Sequence, residues 1–173
     1  ITTPGNYELD KDIGPGAQTC IRVHDTNNVH INCKNHKIIG KQSNWYLSLE
    51  FVNVINFSLK SCILDNNIED YPILKISNSY NGILQGNIFN KGYVALERTR
   101  NIQTLENTFN AIYQQITSSS NKIENNIFDA QLDPQLLRAG LIVSNFGHDN
   151  IIKKNIIDGR SDGVTAFKGT DDG

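Results

Sequence analysis

One short pattern returns along this chain: apolar, spacer, apolar, two spacers, asparagine, spacer, apolar. It reads Phe57, Leu59, Cys62 and Leu64 in "FSLKSCIL", with cysteine in the asparagine slot. It returns as Leu84, Asn87 and Phe89 after Gly82 in "GILQGNIF", and as Ile102, Thr104, Asn107 and Phe109 in "IQTLENTF". Ile123, Asn126 and Phe128 follow, then Ile152, Asn155 and Ile157. An earlier variant holds Val29, Ile31, Cys33 and Ile38. The marker falls at 62, 87, 107, 126 and 155, at intervals of 25, 20, 19 and 29 residues. A unit of that size cannot bury its apolar side chains alone, but stacked copies can.

Between markers lies a second segment alternating with period two, the signature of a strand. These segments are 45–51, 72–77, 93–99, 111–117, 140–146 and 163–167, each closed by a polar turn such as "SNSYNG" or "SSSN". Only "QLDPQLLRAG" departs, with Asp133 placed to cap and Pro134 to start a short helix in an insertion at 130–140. The expected fold is all-β: a solenoid of about six coils of 19–29 residues, with strands stacked at about 4.8 Å. A leucine-rich repeat shares the period. Its template favours Leu over the Ile, Phe and Val found here, and its second segment is not a strand.

Asparagine and isoleucine occur 23 times each. Asparagine is a poor strand residue, so its recurrence needs a reason. It tolerates left-handed turns, and its amide both donates and accepts. Asparagines in successive coils can therefore bond to one another, and Cys62, Asn87, Asn107, Asn126 and Asn155 are the expected structural ladder.

A net charge of −2 gives no field for nucleic acid. No apolar run approaches the roughly 18 residues of a membrane span. One domain over 1–173 is expected, with 1–40 as the N-terminal coil. The ends read as those of a piece of a larger protein, truncated at its C-terminus. Three cysteines allow one disulfide and one free thiol. A Cys20–Cys33 bridge would close a loop of about 14 residues, worth about 3 kcal/mol on the entropy model. Cys62, in an apolar repeat, reads as a small buried side chain.

The opening "ITTPGNYELDKDI" and "TCIRVHDTNNVHINCKNHKIIG", followed by the Asn-marked coils, resembles the right-handed parallel β-helix superfamily. Cys20, Ile21, Val23, Val29, Ile31, Cys33, His36, Ile38 and Gly40 fill the slots of a first coil common in its secreted and surface members; Asn35 stands where glycine is usual. The resemblance implies a right-handed β-helix, an extracellular or cell-surface setting, and a Cys20–Cys33 disulfide.

Polysaccharide-cutting β-helix enzymes resemble one another in an acidic cluster on an exposed strand face, often with Arg, Lys or Ca²⁺. Asp162, Asp171, Asp172 and Arg160 in "DGRSDGVTAFKGTDDG" are the catalytic candidates on that basis. Carboxylates there would bind Ca²⁺ or act as acid and base. Only nine residues separate Asp162 from Asp171, whereas the family's aspartates sit a coil apart, and Gly-Asp-rich ends are ordinarily turns. His24, His30 and His36 fall six apart, and His148 precedes Asp149; turn and surface roles account for both sets, and no metal site is expected.

A binding surface has better support. If Leu47/Leu49, Val94/Leu96 and Ile112/Ile116 point inward, alternation turns Tyr46, Tyr93 and Tyr113 outward. The expected stripe is Tyr46–Ile73–Tyr93–Tyr113, with Glu50, Ser77, Glu97 and Thr117 parallel to it. Tyr46, Tyr93, Tyr113 and Glu97 are the ligand-binding candidates, because aromatic faces beside hydrogen-bonding groups suit sugar rings. The first expectation is a non-enzymatic surface module that binds glycan or joins other surface domains or copies of itself. The second is a lyase or glycoside hydrolase acting on an acidic polysaccharide.

Overall fold

In a computed structural model of the protein, residues 1–15, 19–40, 47–65, 71–110, 113–129, 141–143, 149–158 and 164–166 are described. All regular structure among them is β, and every strand pair is parallel. The strands form an 11-stranded and a 6-stranded sheet. The chain visits three surfaces in a constant order, and each visit pairs with the one before. The first face runs through 21–24, 49–52, 74–77 and 94–97. The second runs through 5–8, 29–32, 57–60, 82–85, 102–105, 122–124 and 151–153. The third, the smaller sheet, runs through 37–39, 63–65, 88–90, 108–110, 127–129 and 156–158.

Segments expected as separate strands are continuous in places. Leu49–Lys60 and Tyr93–Leu105 each span both the first and second faces. Single left-handed residues bend them: Asn53 and Asn56 in one, Arg98 and Asn101 in the other. The register of 49–60 with 21–32 is constant across its bends, whereas that of 93–105 with 113–119 shifts between Thr117 and Ser119. Asparagine suits such a bend because its short polar side chain tolerates the left-handed conformation better than other L-residues. Neighbouring bends are bonded together, Asn56 Nδ2 donating to Asn28 Oδ1 at 3.2 Å and Asn101 Nδ2 to Asn81 Oδ1 at 3.1 Å.

Inside, alternation gives one apolar column per face. On the third face Ile38, Leu64, Phe89, Phe109 and Phe128 are all fully buried. The Phe109 ring stacks on Phe89 at 4.9 Å and on Phe128 at 4.3 Å. At the turn into this face runs a buried ladder. Nδ2 of Asn87 donates to Asn107 Oδ1, Asn107 to Asn126, and Asn126 to Asn155, at 3.0, 3.0 and 2.9 Å. The same amides donate to backbone carbonyls of Leu59, Leu84 and Thr104. The bend and the ladder are distinct jobs. The left-handed residue at each turn is the one before the ladder position: Ser61, Gly86, Glu106, Asn125 and Lys154. A second pair of amides escaped sequence reading, buried Asn121 and half-buried Asn150, in which the Ile102 N–H donates to Asn121 Oδ1 and the Asn121 N–H to Asn150 Oδ1.

The disulfide joins Cys33 to Cys62, not Cys20 to Cys33. Cys33 and Cys62 leave the second face in consecutive repeats, with Cα atoms 4.7 Å apart, one strand spacing and within reach of a bridge. Cys20 enters the first face, and its Sγ donates to the Ile39 carbonyl at 3.0 Å as a free thiol. The bridge fits an oxidising compartment. No helix among the described residues is long and apolar enough to cross a membrane. The expected helix at 130–140 lies outside the described residues.

Candidate functional site

Asp162, Asp171, Asp172 and Arg160 lie outside the described residues, as do Tyr46 and His148. For Tyr113 the description extends to its backbone, which pairs with Tyr93. Tyr93 is half-buried. The expected stripe is interrupted at Ile73, which is fully buried. A register shift between Pro72 and Leu74 sets Pro72 beside Tyr93 and turns Ile73 into the core. The polar row also differs from expectation. Glu50 is level with Lys75, and Val52 is level with Ser77, Glu97 and Thr117. Glu97 is ion-paired with Lys75 at 2.9 Å. With Ser77, Asn78, Arg98 and Thr117 it lines a groove of 770 Å³ at the first bend.

The second face presents a longer feature. Inward positions Ile31, Leu59, Leu84, Thr104 and Ile123 are buried, and the residues on either side of each alternate away from the core, Ser58 and Glu124 among them only 7% exposed. One outward column is Asn6, His30, Ser58, Ile83, Gln103 and Lys122, each directly beside the next. Two grooves lie along it. The first, 440 Å³, is lined by Asn6, His30, Asn32, Ser58 and Lys60 among others, with His30 Nδ1 hydrogen-bonded to Ser58 Oγ at 3.0 Å. The second, 650 Å³, is lined by Asn81, Ile83, Asn101, Gln103, Ser120 and Lys122, with Gly82 and Ile102 at its base. Asn81 and Asn101 are the bonded corner amides, so the structural corner and the groove wall are the same residues.

Charge is concentrated where the face reaches 122–124 and 151–153. Glu124 is 7% exposed and meets Lys122, Lys153 and Lys154. Lys122 above all, opposed by burial, holds its carboxyl below the ordinary glutamate range. At the other end of the chain, the Lys37 backbone N–H and the His36 ring depress Asp12. The Asn53 amide and the His24 ring likewise depress Asp25. His24, His30 and His36 thus each have a separate partner. No group of three or more His, Cys, Asp and Glu able to hold a metal occurs among the described residues.

The signal for this face was present in the marker repeats themselves. Between their apolar positions stand His30, Ser58, Ile83, Gln103 and Lys122. Those positions vary in type, so a search for recurring residues passes over them. Their common outward direction follows only once the register is known. Comparison with protein-family models, curated proteins and solved structures finds no match to this chain.

Proposed function

We propose that the chain is a right-handed parallel β-helix of the superfamily it resembles, and that it serves as a non-enzymatic extracellular or cell-surface module binding a glycan along its second face. The observation that carries this reading is the outward column from Asn6 to Lys122, hydrogen-bonding at every step but Ile83. Six strands at the usual spacing make it roughly 24 Å long. A linear polymer of repeating hydroxyl groups meets donors and acceptors at a regular interval there. A globular protein partner would favour an apolar centre instead. The grooves beside the column give such a chain partial enclosure, and Ile83 offers an apolar contact for a sugar face. The Cys33–Cys62 bridge supports an extracellular setting.

The test is incubation with a panel of neutral and uronate-rich polysaccharides, with and without Ca²⁺, reading retention on the polymer and the mass of soluble products. Retention without released oligosaccharide is the expected result. It should weaken in Gln103→Ala and persist in Tyr93→Ala. Release of oligosaccharides abolished by Asp162→Ala or Asp171→Ala would establish the lyase or hydrolase alternative instead.

A further inference from the structure

We propose that the lysine cluster around Glu124 is the acid-group subsite of the second face, so that the polymer it takes carries carboxylates or sulfates. This inference rests on reading that face as a glycan surface. Lys122 Nζ pairs with Glu124 Oε2, while Lys153 and Lys154 stand 3.4 and 3.8 Å from Oε1. Among the described residues, one carboxylate therefore faces three ammonium groups, leaving two positive charges in excess. Glu124 is nearly buried, whereas the side chains of Lys153 and Lys154 are 49% and 71% exposed. The nearly buried carboxylate holds the three ammonium groups together while their side chains stay partly exposed.

Lys122 also lines the 650 Å³ groove, among amides and a hydroxyl, with no carboxylate among the described lining residues. Gln103 precedes it by one strand and Ile151 follows it. Lys153 stands beside Glu124 on the adjacent column. A sugar whose hydroxyls engage Asn101 and Gln103 would thus bring an acidic substituent to Lys122, with Lys153 one strand on. Each ammonium offers a charge-assisted hydrogen bond, stronger than the neutral bonds along the rest of the column.

The experiment is titration of the full chain with polygalacturonate, a sulfated galactan and neutral xyloglucan, at low and high salt, with folding verified by circular dichroism. Binding to one or both acidic polymers about tenfold tighter than to xyloglucan is expected, with the difference lost at high salt. Preference between the two acidic polymers separates carboxylate from sulfate. Lys122→Gln should weaken acidic binding about tenfold, and Glu124→Gln should strengthen it by removing the competing anion. Weaker acidic binding in folded Glu124→Gln would make the cluster merely structural and overturn the subsite. Equal affinity for all three polymers, or indifference to Lys122→Gln, would also overturn it while leaving the glycan face intact. No binding of any polymer by the folded protein would overturn the glycan face and the subsite together.

Discussion

The backbone N–H of Cys62 donates to Asn87 Oδ1 at 3.0 Å, so the disulfide and the asparagine ladder run end to end in one column. Cys33 is tied to Cys62 covalently, and each later repeat is tied to the next by side-chain amides. Sequence separations of 29, 25, 20, 19 and 29 residues along this column are each closed by one strand spacing. The column fixes register although repeat length varies.

Asn107 tests the ladder. Its Oδ1 accepts from both the N–H and Nδ2 of Asn87, and its Nδ2 donates to the Leu84 carbonyl and Asn126. Asn107→Ala leaves several buried groups unpaired and should cost about 3 kcal/mol. Asn101→Ala, at an exposed corner, should cost less than about 1 kcal/mol. Urea denaturation of both variants checks this; equal losses would show that the buried column carries no special share of stability.

The disulfide assignment makes a prediction of its own. Non-reducing peptide mapping should recover Cys33 linked to Cys62, with Cys20 open to alkylation after unfolding. The bridge closes a loop spanning 29 residues, which corresponds to about 3–4 kcal/mol on the chain-entropy model. Cys33→Ser with Cys62→Ser should lose about that much, and Cys20→Ser under about 1 kcal/mol. A peptide linking Cys20 to Cys33 would refute the pairing.

Low pH should destabilise the fold through Asp12, Asp25 and Glu124. Each carboxyl is depressed in the folded state, Asp12 by the Lys37 N–H, Asp25 by the Asn53 amide and Glu124 by Lys122. The unfolded chain then binds more protons, so the stabilisation is complete above the ordinary carboxylate values of 3.8 and 4.5 and is lost as pH falls through the lowered ones. Denaturation midpoints should be level from about pH 6 to 5 and fall below about pH 4. Asp12→Asn keeps an acceptor for Lys37 but removes the titrating group, and should flatten the acid slope. An unchanged slope in that variant would remove Asp12 from the account.

The all-β character with parallel strands was legible because the apolar markers and asparagines recur in residue type. Leu49, Val94 and Leu96 are buried where alternation set them. What depended on register was less legible. Ile73 alternates as an outward residue but is turned inward by one extra residue at the bulge. Cys33 finds Cys62 rather than Cys20 because distance along the chain says little once consecutive repeats lie 4.7 Å apart. The Lys122–Glu124 pair was masked for the opposite reason. It stands in the strand Lys122–Glu124, but its other partners, Lys153 and Lys154, come from a repeat 29 residues on.

Gly82 gives the most local test of packing between repeats. It occupies a second-face position level with Phe57 in one neighbour and Ile102 in the other. A Cβ built there would overlap the Phe57 ring, whose atoms Cε1 and Cε2 lie 2.6 and 2.7 Å from it. That ring is itself held by stacking on Phe51 at 4.6 Å and is almost fully buried. The glycine is needed for space and not for its backbone angle, since its φ is not among the positive ones. Gly82→Ala should therefore cost about 1–3 kcal/mol by overpacking. Phe57→Leu alone should also destabilise, through lost volume. The double variant should recover part of the sum, because the smaller side chain makes room for the methyl, and a double-mutant cycle measures that coupling. Strict additivity would mean that the clash is relieved by backbone movement and not by the Phe57 ring.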